Sequence, residues 1–194
     1  MNPTDKESSL TLRATWKKRR LLKLADRIAR MVVVVAMLYL VLHFVGQRTV
    51  VKGISMEPAL YGGDQIWVDK LSYYLHDPER FDIIVFRLDG IFYIKRVIAL
   101  PGERIWISRS GRIYIDDRLL EENYGITVIS YAGIAAEELT LGEEEYFVLG
   151  DNRPESFDSR YEEVGVIESS QIVGKAVFRI FPLGTFGVLG RQEE

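Results

Sequence analysis

The sequence contains no cysteine and only two histidines, and these absences narrow the possible chemistry. Without cysteine, a disulfide framework and a cysteine nucleophile are excluded. His43 lies in an apolar run and His76 in a turn-like stretch, so a Ser-His-Asp triad and a zinc site are both disfavoured. The sequence has no glycine-rich phosphate loop after a strand and no dinucleotide fingerprint, and we expect neither a cofactor nor a metal.

Acidic residues are scarce near the N-terminus. Residues 1–30 hold nine Lys/Arg against three Asp/Glu, a balance of +6, whereas the other 164 residues hold 16 against 25, a balance of −9. A basic head on an acidic body is typical of chains that bind nucleic acid or a membrane. The apolar run that follows the head favours the membrane, so we expect a lipid bilayer and no nucleic acid as a partner.

Long apolar runs are also scarce, and the one extended example covers residues 31–46, which carry no formal charge. As a helix this run measures about 24 Å, less than the roughly 30 Å of a bilayer core, but Ile28 and Ala29 extend it and flanking arginines reach the interfaces. We therefore predict a transmembrane signal anchor over residues 28–47. The alternatives are a buried core helix and a cleaved signal peptide. The run is apolar on every face, however, and no small-x-small pair ends it.

Basic residues cluster just before this run and predict the topology. By the positive-inside rule, segment 1–27 lies in the cytoplasm and residues 48–194 form the extracytoplasmic domain of a single-pass cell-membrane protein. Within the basic segment, residues 10–24 are either an interfacial helix on anionic lipid or a disordered tail. We expect a monomer.

The body after the run has the pattern of a mainly β domain. Runs rich in β-branched and aromatic residues predict strands at residues 49–52, 65–69, 82–88, 92–99, 104–108, 112–116, 146–149 and 176–181. Ser110-Gly111 predicts a hairpin. Residues 71–76 predict one helical turn, and the weakly patterned stretch 123–141 predicts a loop or a peripheral excursion. We expect an all-β, barrel-like or sheet-packed domain.

Ser55 follows a predicted strand in the sequence GISMEP, residues 53–58. Gly53 permits a sharp turn and Pro58 holds the exit segment rigid. Such a turn presents a hydroxyl and aims backbone N–H groups at one point, as an oxyanion hole requires. The alternative is an ordinary Gly/Ser turn, because Gly-x-Ser is a common sequence.

Lys95 lies in the apolar run 91–100, 40 residues after Ser55. A buried ammonium is costly, but burial also lowers the pKa of a lysine, and a neutral lysine can deprotonate a serine. Strand alternation places Lys95 on one face and Arg96 on the other, so the pattern allows either side chain to point inward. Only the lysine can act as a base.

A third polar cluster, GDNRPESFDSR, covers residues 150–160 after a predicted strand. In one interpretation it is a surface loop with Asx turns and exposed ion pairs. In the functional interpretation its acids and arginines lock the loop while a hydroxyl contacts the lysine nitrogen.

Four motifs, in this order, resemble those of bacterial type I signal peptidases, which are membrane-bound Ser/Lys serine endopeptidases. They are GISMEPALYGGD (53–64), RFDIIVF (80–86), YIKRVIALPGE (93–103) and the cluster at 150–160. The resemblance covers the body from about residue 50 to residue 182. It implies a signal-peptidase-like β catalytic domain preceded by one transmembrane helix. It also implies cleavage of N-terminal signal peptides from exported preproteins.

The resemblance also implies roles for individual residues. Ser55 is then the nucleophile and Lys95 the general base of a mechanism that passes through an acyl-enzyme, while Ser156 helps to orient the lysine. The other positions carried over support the site or bind substrate: Asp158 and Arg160 as a structural acid and base, Asp151 and Arg153 as loop-fixing residues, and Met56 beside the substrate groove.

Three positions depart from the family pattern. Ala99 stands where glycine is frequent, and Ala59 stands where threonine is common. Gly53 stands where some members have a serine whose hydroxyl completes the oxyanion hole. The resemblance therefore implies an oxyanion hole made of backbone N–H groups, including that of Ser55.

Two other functions fit part of the pattern. Repressor-type autoproteases use the same Ser/Lys chemistry, but they are soluble and carry a DNA-binding head, and the apolar run at 31–46 argues against them. The second is a membrane-anchored β module that has lost catalysis and only binds partners. The presence of both Ser55 and Lys95 argues against it.

Overall fold

The computed structural model describes residues 20, 22–40, 45–125 and 127–189. The chain divides into two units, residues 1–44 and residues 45–194. In the first unit, residues 22–40 form a helix, α1, whose apolar side chains are exposed along its length. The predicted anchor includes residues 41–44, which lie outside the described residues. Residues 1–19 and 21 of the predicted cytoplasmic segment, which include most of residues 10–24, also lie outside them.

Within the described parts of the chain, α1 included, no helix combines the length and the apolar character needed to cross a bilayer. The transmembrane anchor over residues 28–47 therefore stays a prediction.

The second unit is built mainly of short strands. Within residues 45–125 and 127–189 these are β1 (Gly46–Val50), β2 (Gln65–Asp69), β3 (Ile83–Leu88), β4 (Ile91–Ala99), β5 (Arg104–Ile107), β6 (Ile113–Ile115), β7 (Arg118–Leu119), β8 (Leu139–Thr140), β9 (Glu145–Leu149), β10 (Ile167–Glu168), β11 (Ile172–Phe181) and β12 (Gly187–Val188). One helical turn, α2 (Ser72–Leu75), follows β2. Short 3-10 turns lie at Gly133–Ala136, Arg153–Glu155, Ser169–Gln171 and Leu183–Thr185.

All strand pairs are antiparallel and form two sheets. The larger sheet has the order β1-β2-β11-β3-β4-β9-β10, with β12 also beside β11, and the smaller has the order β7-β6-β5-β8. Strand β3 pairs with β4 from Ile91 to Arg96, whereas β9 pairs with β4 only between Arg96 and Ala99. The first half of β4 therefore has one unpaired edge among the described residues.

Two hairpins show how the local sequence makes these pairs. Asp89 and Gly90, which connect β3 to β4, both have left-handed backbone, with φ of 49° and 82°. That conformation suits a tight hairpin turn and favours an Asp-Gly pair. The hairpin predicted at Ser110-Gly111 is confirmed, because it connects β5 to β6 and Gly111 has a φ of 75°.

Burial follows the strand pattern. In β5 and β6 buried isoleucines alternate with half-buried polar and aromatic residues, as expected for a sheet with one covered face. The central strand β4 differs, because all five residues from Lys95 to Ala99 are buried. Both faces of β4 are therefore covered, and Lys95 and Arg96 are buried on opposite sides.

The predicted strands agree with the structure to within a few residues, and 65–69 matches β2 at both ends. The first strand begins three residues and ends two residues earlier than predicted, and β11 begins at Ile172 and not at residue 176. The prediction of a helical turn at 71–76 is confirmed by α2. Stretch 123–141 is largely loop but not peripheral, because Tyr124, Ile129, Ala135 and Leu141 are buried.

Candidate active site

Ser55 lies in a turn that leaves β1 and returns to β2. Backbone bonds close the base of this turn, from Val51 N to Asp64 O at 2.8 Å and from Gly63 N to Val51 O at 3.0 Å. The Asp64 carboxylate accepts a hydrogen bond from Tyr61 N at 3.0 Å and pairs with Arg179, 3.1 Å away. Gly53 has a φ of 81°, the left-handed region in which glycine is favoured. The turn thus holds Ser55, which is half-buried.

Lys95 reaches this serine from β4. Its Nζ donates a hydrogen bond to Ser55 Oγ at 2.7 Å, and the lysine is 3% exposed. Burial lowers the pKa of Lys95 to about 8, because the charged ammonium loses its hydration. The nearby Asp158 carboxylate opposes that shift and the Arg160 guanidinium adds to it. A serine and a lysine with a lowered pKa thus share one hydrogen bond.

Arg96 lies on the other face of β4. It forms a two-pronged ion pair with Asp151, with its Nε 2.8 Å and its Nη2 2.6 Å from the two carboxylate oxygens. Its remaining Nη1 donates to Phe81 O at 2.9 Å. Both residues are almost fully buried, so the charge of Arg96 is compensated where water cannot reach it.

Loop 150–160 is locked by its own arginines. Arg160 pairs with Asp158 through Nε at 2.7 Å and Nη2 at 2.9 Å, and Asp158 also accepts Gly150 N at 3.0 Å. Arg160 Nη2 donates to Arg153 O at 2.7 Å, and Arg153 Nε donates to Gly150 O at 2.9 Å. These bonds run between the two ends of the loop and hold its shape. The alternative of a surface loop with exposed ion pairs is wrong, because these four residues are buried.

The same loop holds the serine turn. Asn152 N donates to Ser55 O at 3.0 Å, and its side-chain amide donates to Ile54 O at 3.2 Å. A side chain at Gly150 has no room, because a Cβ there lies 2.4 Å from Ser55 O. The sequence assigned no role to Asn152, since an asparagine in a polar loop has no distinguishing pattern.

Ser156 and Met56 lie beside this pair. The hydroxyl of Ser156 is buried and has no hydrogen-bond partner among the described residues. Its expected contact with Lys95 therefore stays a prediction. Met56 is 2% exposed and lines the groove described next.

A groove of about 750 Å³ opens onto Ser55 and Lys95. One wall is β1 with the residues that follow it, and the other is the first half of β4. Within the described chain, β1 is an edge strand, and β4 lacks a second neighbour before Arg96. Apolar side chains exposed along the groove are Val50, Ile54, Ile91, Phe92 and Phe157. The groove thus offers two free strand edges and an apolar lining.

Other candidates lie apart from this site. His76 is exposed after α2 and does not line the groove. Among the described residues, no three His, Asp or Glu side chains are arranged to hold a metal ion.

Of the positions that depart from the family pattern, Ala99 is fully buried in the core. The carbonyl oxygen of Ala59 accepts a hydrogen bond from Arg179.

Comparison with known proteins assigns the chain to a family. The family model described as "Signal peptidase, peptidase S26" matches residues 24–181. The chain belongs to the signal peptidase family S26. Its activity is that of a signal peptidase I, a serine endopeptidase that acts on the signal peptides of preproteins.

Individual relatives of family S26 cover most of the chain. A probable signal peptidase I-1 from Synechocystis is 35% identical over 175 residues, which are 85% of this chain and 86% of the relative. A signal peptidase I from Bacillus caldolyticus is 39% identical over 158 residues, 74% of this chain and 84% of the relative. A probable signal peptidase I-2 from Synechocystis is 33% identical over 159 residues, which are 78% of this chain and 70% of the relative.

Proposed function

We propose that Ser55 is the nucleophile and Lys95 the general base of this signal peptidase activity. The observation that carries the proposal is the 2.7 Å hydrogen bond from Lys95 Nζ, in the buried half of β4, to Ser55 Oγ. A nucleophile must lie within hydrogen-bond reach of its base, and the pair meets that requirement. His76, the alternative base, is exposed and lies outside the groove lining.

The reaction begins when neutral Lys95 takes the proton of Ser55. Ser55 Oγ then attacks the scissile carbonyl carbon, and the backbone N–H of Ser55 donates to the oxyanion that forms. Lys95 returns its proton to the leaving amine, the peptide C–N bond breaks, and the signal peptide stays as an ester on Ser55. Lys95 next deprotonates a water molecule, whose oxygen attacks the carbonyl carbon of the ester. The bond between that carbon and Ser55 Oγ breaks, Ser55 Oγ takes the proton back from Lys95, and the signal peptide leaves as an acid that ionises in water.

The lowered pKa of Lys95 is what permits this chemistry near neutrality. With a pKa of about 8, roughly half of the lysine is neutral at pH 8. With an ordinary pKa, only about one lysine in 300 is neutral at that pH. Asp158 and Arg160 act on this equilibrium in opposite directions, so we propose that their pairing also moderates the charge near Lys95.

We further propose that the substrate lies in the groove as an extended strand. The free edges of β1 and β4 can exchange main-chain hydrogen bonds with such a segment, as in peptide recognition by strand addition. Side chains that alternate along the peptide then point into the apolar lining, which includes Ile54, Phe92 and the buried Met56. The small residues expected at positions −1 and −3 of signal peptides fit this spacing.

We also propose that residues 28–47 anchor a monomeric protein in the cell membrane, with segment 1–27 in the cytoplasm and the catalytic domain outside. Support comes from the uncharged run 31–46 and the basic residues just before it. In the described part of α1, apolar side chains such as Val34 and Leu38 are more than half exposed, so they require an apolar environment.

Substitution of the two residues tests the assignment. Ser55→Ala and Lys95→Arg should each reduce cleavage of a fluorogenic signal-peptide substrate to background, because arginine keeps the charge but cannot give up its proton. Lys175→Arg is the matched control, since Lys175 lies on β11, pairs with Asp82 and does not line the groove. The control should keep wild-type activity. An active Ser55→Ala or Lys95→Arg enzyme would remove that residue from its proposed role.

A further inference from the structure

Residues 122–124, which follow β7 along the chain, pack against loop 150–160. The two carboxylate oxygens of Glu122 contact both terminal nitrogens of Arg153, at 2.8 Å and 2.9 Å. The side chains of Arg153 and Glu122 are only 2% and 11% exposed. A two-pronged, charge-assisted pair of this kind is stronger and more directional than a single surface contact.

Glu122 is itself held in place by its neighbours. Its carboxylate accepts a hydrogen bond from Tyr124 N at 3.1 Å. The Tyr124 ring lies over the Arg96 guanidinium, 3.9 Å from ring centre to Cζ, and contacts the ring of Phe81. Segment 122–124 therefore contacts two arginines, and each of them binds the same short part of the catalytic loop.

That part of the loop is residues 150–153. Arg96 holds Asp151 by a two-pronged ion pair, and Arg153 Nε holds Gly150 O at 2.9 Å. Asn152 lies between Asp151 and Arg153, whose side chains are both held by these bonds. Its backbone N–H donates to Ser55 O at 3.0 Å, and its side chain donates to Ile54 O.

The guanidinium of Arg153 has little freedom to take another position. Gly125 packs so closely on it that a Cβ at residue 125 lies 2.9 Å from Arg153 Cζ. Its Nε is bonded to Gly150 O, and its terminal nitrogens are bonded to Glu122. If the Glu122 charge is lost, the arginine keeps a buried positive charge without its carboxylate partner. The guanidinium can find another partner for its charge only by moving. Because it is bonded to Gly150 O, that movement displaces residues 150–153.

We propose that Glu122 is a positioning residue for catalysis. Through Arg153 it fixes Asn152, and through Asn152 it fixes the backbone of Ser55, which sets the direction of both the hydroxyl and the N–H. This inference rests on the proposed role of Ser55 as nucleophile. Glu122 does not line the groove, so it acts on the reacting atoms and not on substrate binding.

Glu122→Gln tests the proposal, because glutamine keeps the shape and removes the charge. We expect kcat for a signal-peptide substrate to fall about ten- to a hundredfold, the scale expected from a displacement of about 1 Å at a reacting group. KM should stay within about twofold of the wild-type value. Both constants are measured with the full chain at a temperature at which thermal denaturation shows each variant to be folded.

Glu103→Gln is the matched control. Glu103 likewise pairs with an arginine, Arg80, and likewise accepts a backbone N–H, that of Leu100 at 2.7 Å. It lies outside the groove lining. We expect Glu103→Gln to lower the melting temperature by an amount similar to Glu122→Gln and to keep wild-type kcat.

Three outcomes contradict the proposal. The first is that both variants lose stability and neither loses kcat, which makes the Glu122 pair purely structural. The second is a rise in KM with kcat unchanged. If Glu122→Gln does not fold, Glu122→Asp replaces it, because aspartate keeps the charge but is too short to reach Arg153 in the same way. An unchanged kcat in Glu122→Asp is the third outcome that contradicts the proposal. Ser55→Ala in the same assay separates the role of Ser55 from the role of Glu122. An active Ser55→Ala enzyme would remove the assignment of Ser55 as nucleophile, independently of the result for Glu122.

Discussion

Lys95 lowers the stability of the folded protein at neutral pH. A shift of its pKa from 10.5 to about 8 corresponds to roughly 3 kcal/mol at 1.36 kcal/mol per pKa unit. Because the pKa is lower in the folded state, the unfolded chain binds the proton more tightly between pH 8 and 10.5. Stability therefore rises with pH across that window, and the full penalty applies below it. The residue proposed as the base therefore reduces the free energy of unfolding.

We predict that Lys95→Met stabilises the protein while removing its activity. The free energy of unfolding at pH 7 should increase by about 1–3 kcal/mol, as seen when buried charges are replaced by apolar side chains of similar size. The gain should shrink as the pH rises from about 8 towards 10.5. Chemical denaturation at several pH values measures both effects. Lys175→Met is the comparison, and it should destabilise the protein by leaving Asp82 without its lysine. A methionine variant less stable than wild type at pH 7 would contradict this account.

The sequence and the structure differ most in residues whose partners are far along the chain. Alternation along β4 allowed Lys95 or Arg96 to be inward, but both are buried because the strand is covered on both faces. Nothing in the pattern indicates that Arg96 pairs with Asp151, 55 residues later. Glu122 has no local signal for the same reason, because one of two adjacent acids does not indicate a partner, Arg153, that lies 31 residues later. Ser55 and Lys95 were assigned by the family motifs and not by periodicity.

At the scale of elements, loop 150–160 packs tightly against the turn between β1 and β2 that carries Ser55. A Cβ at Gly150 lies 2.4 Å from Ser55 O and 2.2 Å from Ser156 Oγ. The nearest backbone atom is a carbonyl oxygen that already accepts a hydrogen bond from Asn152. A methyl group here must displace the turn that carries Ser55.

We therefore predict that Gly150→Ala lowers kcat by about a hundredfold. Gly174→Ala is the matched control, because a Cβ at Gly174 lies 2.3 Å from Asp69 O, a clash of the same kind between β11 and β2. Both variants should lose stability, and only Gly150→Ala should lose kcat beyond what its folded fraction explains. Steady-state kinetics and thermal denaturation on the same samples measure the difference. Equal kcat in the two variants would show that the contact between loop and turn is not needed for catalysis.

Strand prediction succeeded where the elements are long. Strand β2 and most of β3, β4 and β9 follow from runs of β-branched and aromatic residues. Strands β7, β8, β10 and β12 were not predicted, because two residues cannot display a period of two. Each of these short strands forms only by backbone hydrogen bonding to a longer neighbouring strand.

At the scale of the whole molecule, the charge is divided between the two parts of the chain. The first thirty residues carry a balance of +6 and the remainder a balance of −9. Basic residues close to an apolar run resist translocation, whereas an acidic domain does not. The proposed orientation therefore depends on a few side chains and not on the catalytic fold.

We predict that an alkaline phosphatase reporter fused after Glu194 is active, because that enzyme needs the extracytoplasmic side. Replacing five basic residues just before the run with glutamine should reduce the reporter signal severalfold and make the C-terminus accessible in the cytoplasm. The residues are Lys17, Lys18, Arg19, Arg20 and Lys23. The same number of changes among exposed arginines of the body, such as Arg109 and Arg118, should leave the signal unchanged. A cytoplasmic C-terminus in the unmodified protein would overturn the topology.

The two free edges of the groove, β1 and the first half of β4, have a consequence for timing. An edge of this kind pairs only with a chain whose own N–H and C=O groups are not already engaged. A stretch of preprotein that lies in a helix or in the interior of a sheet has none to offer. On the proposed mode of substrate binding, cleavage must come before the residues around the cut site fold. A passenger protein that folds quickly up to its first residue would keep its signal peptide, however well its sequence suits the groove.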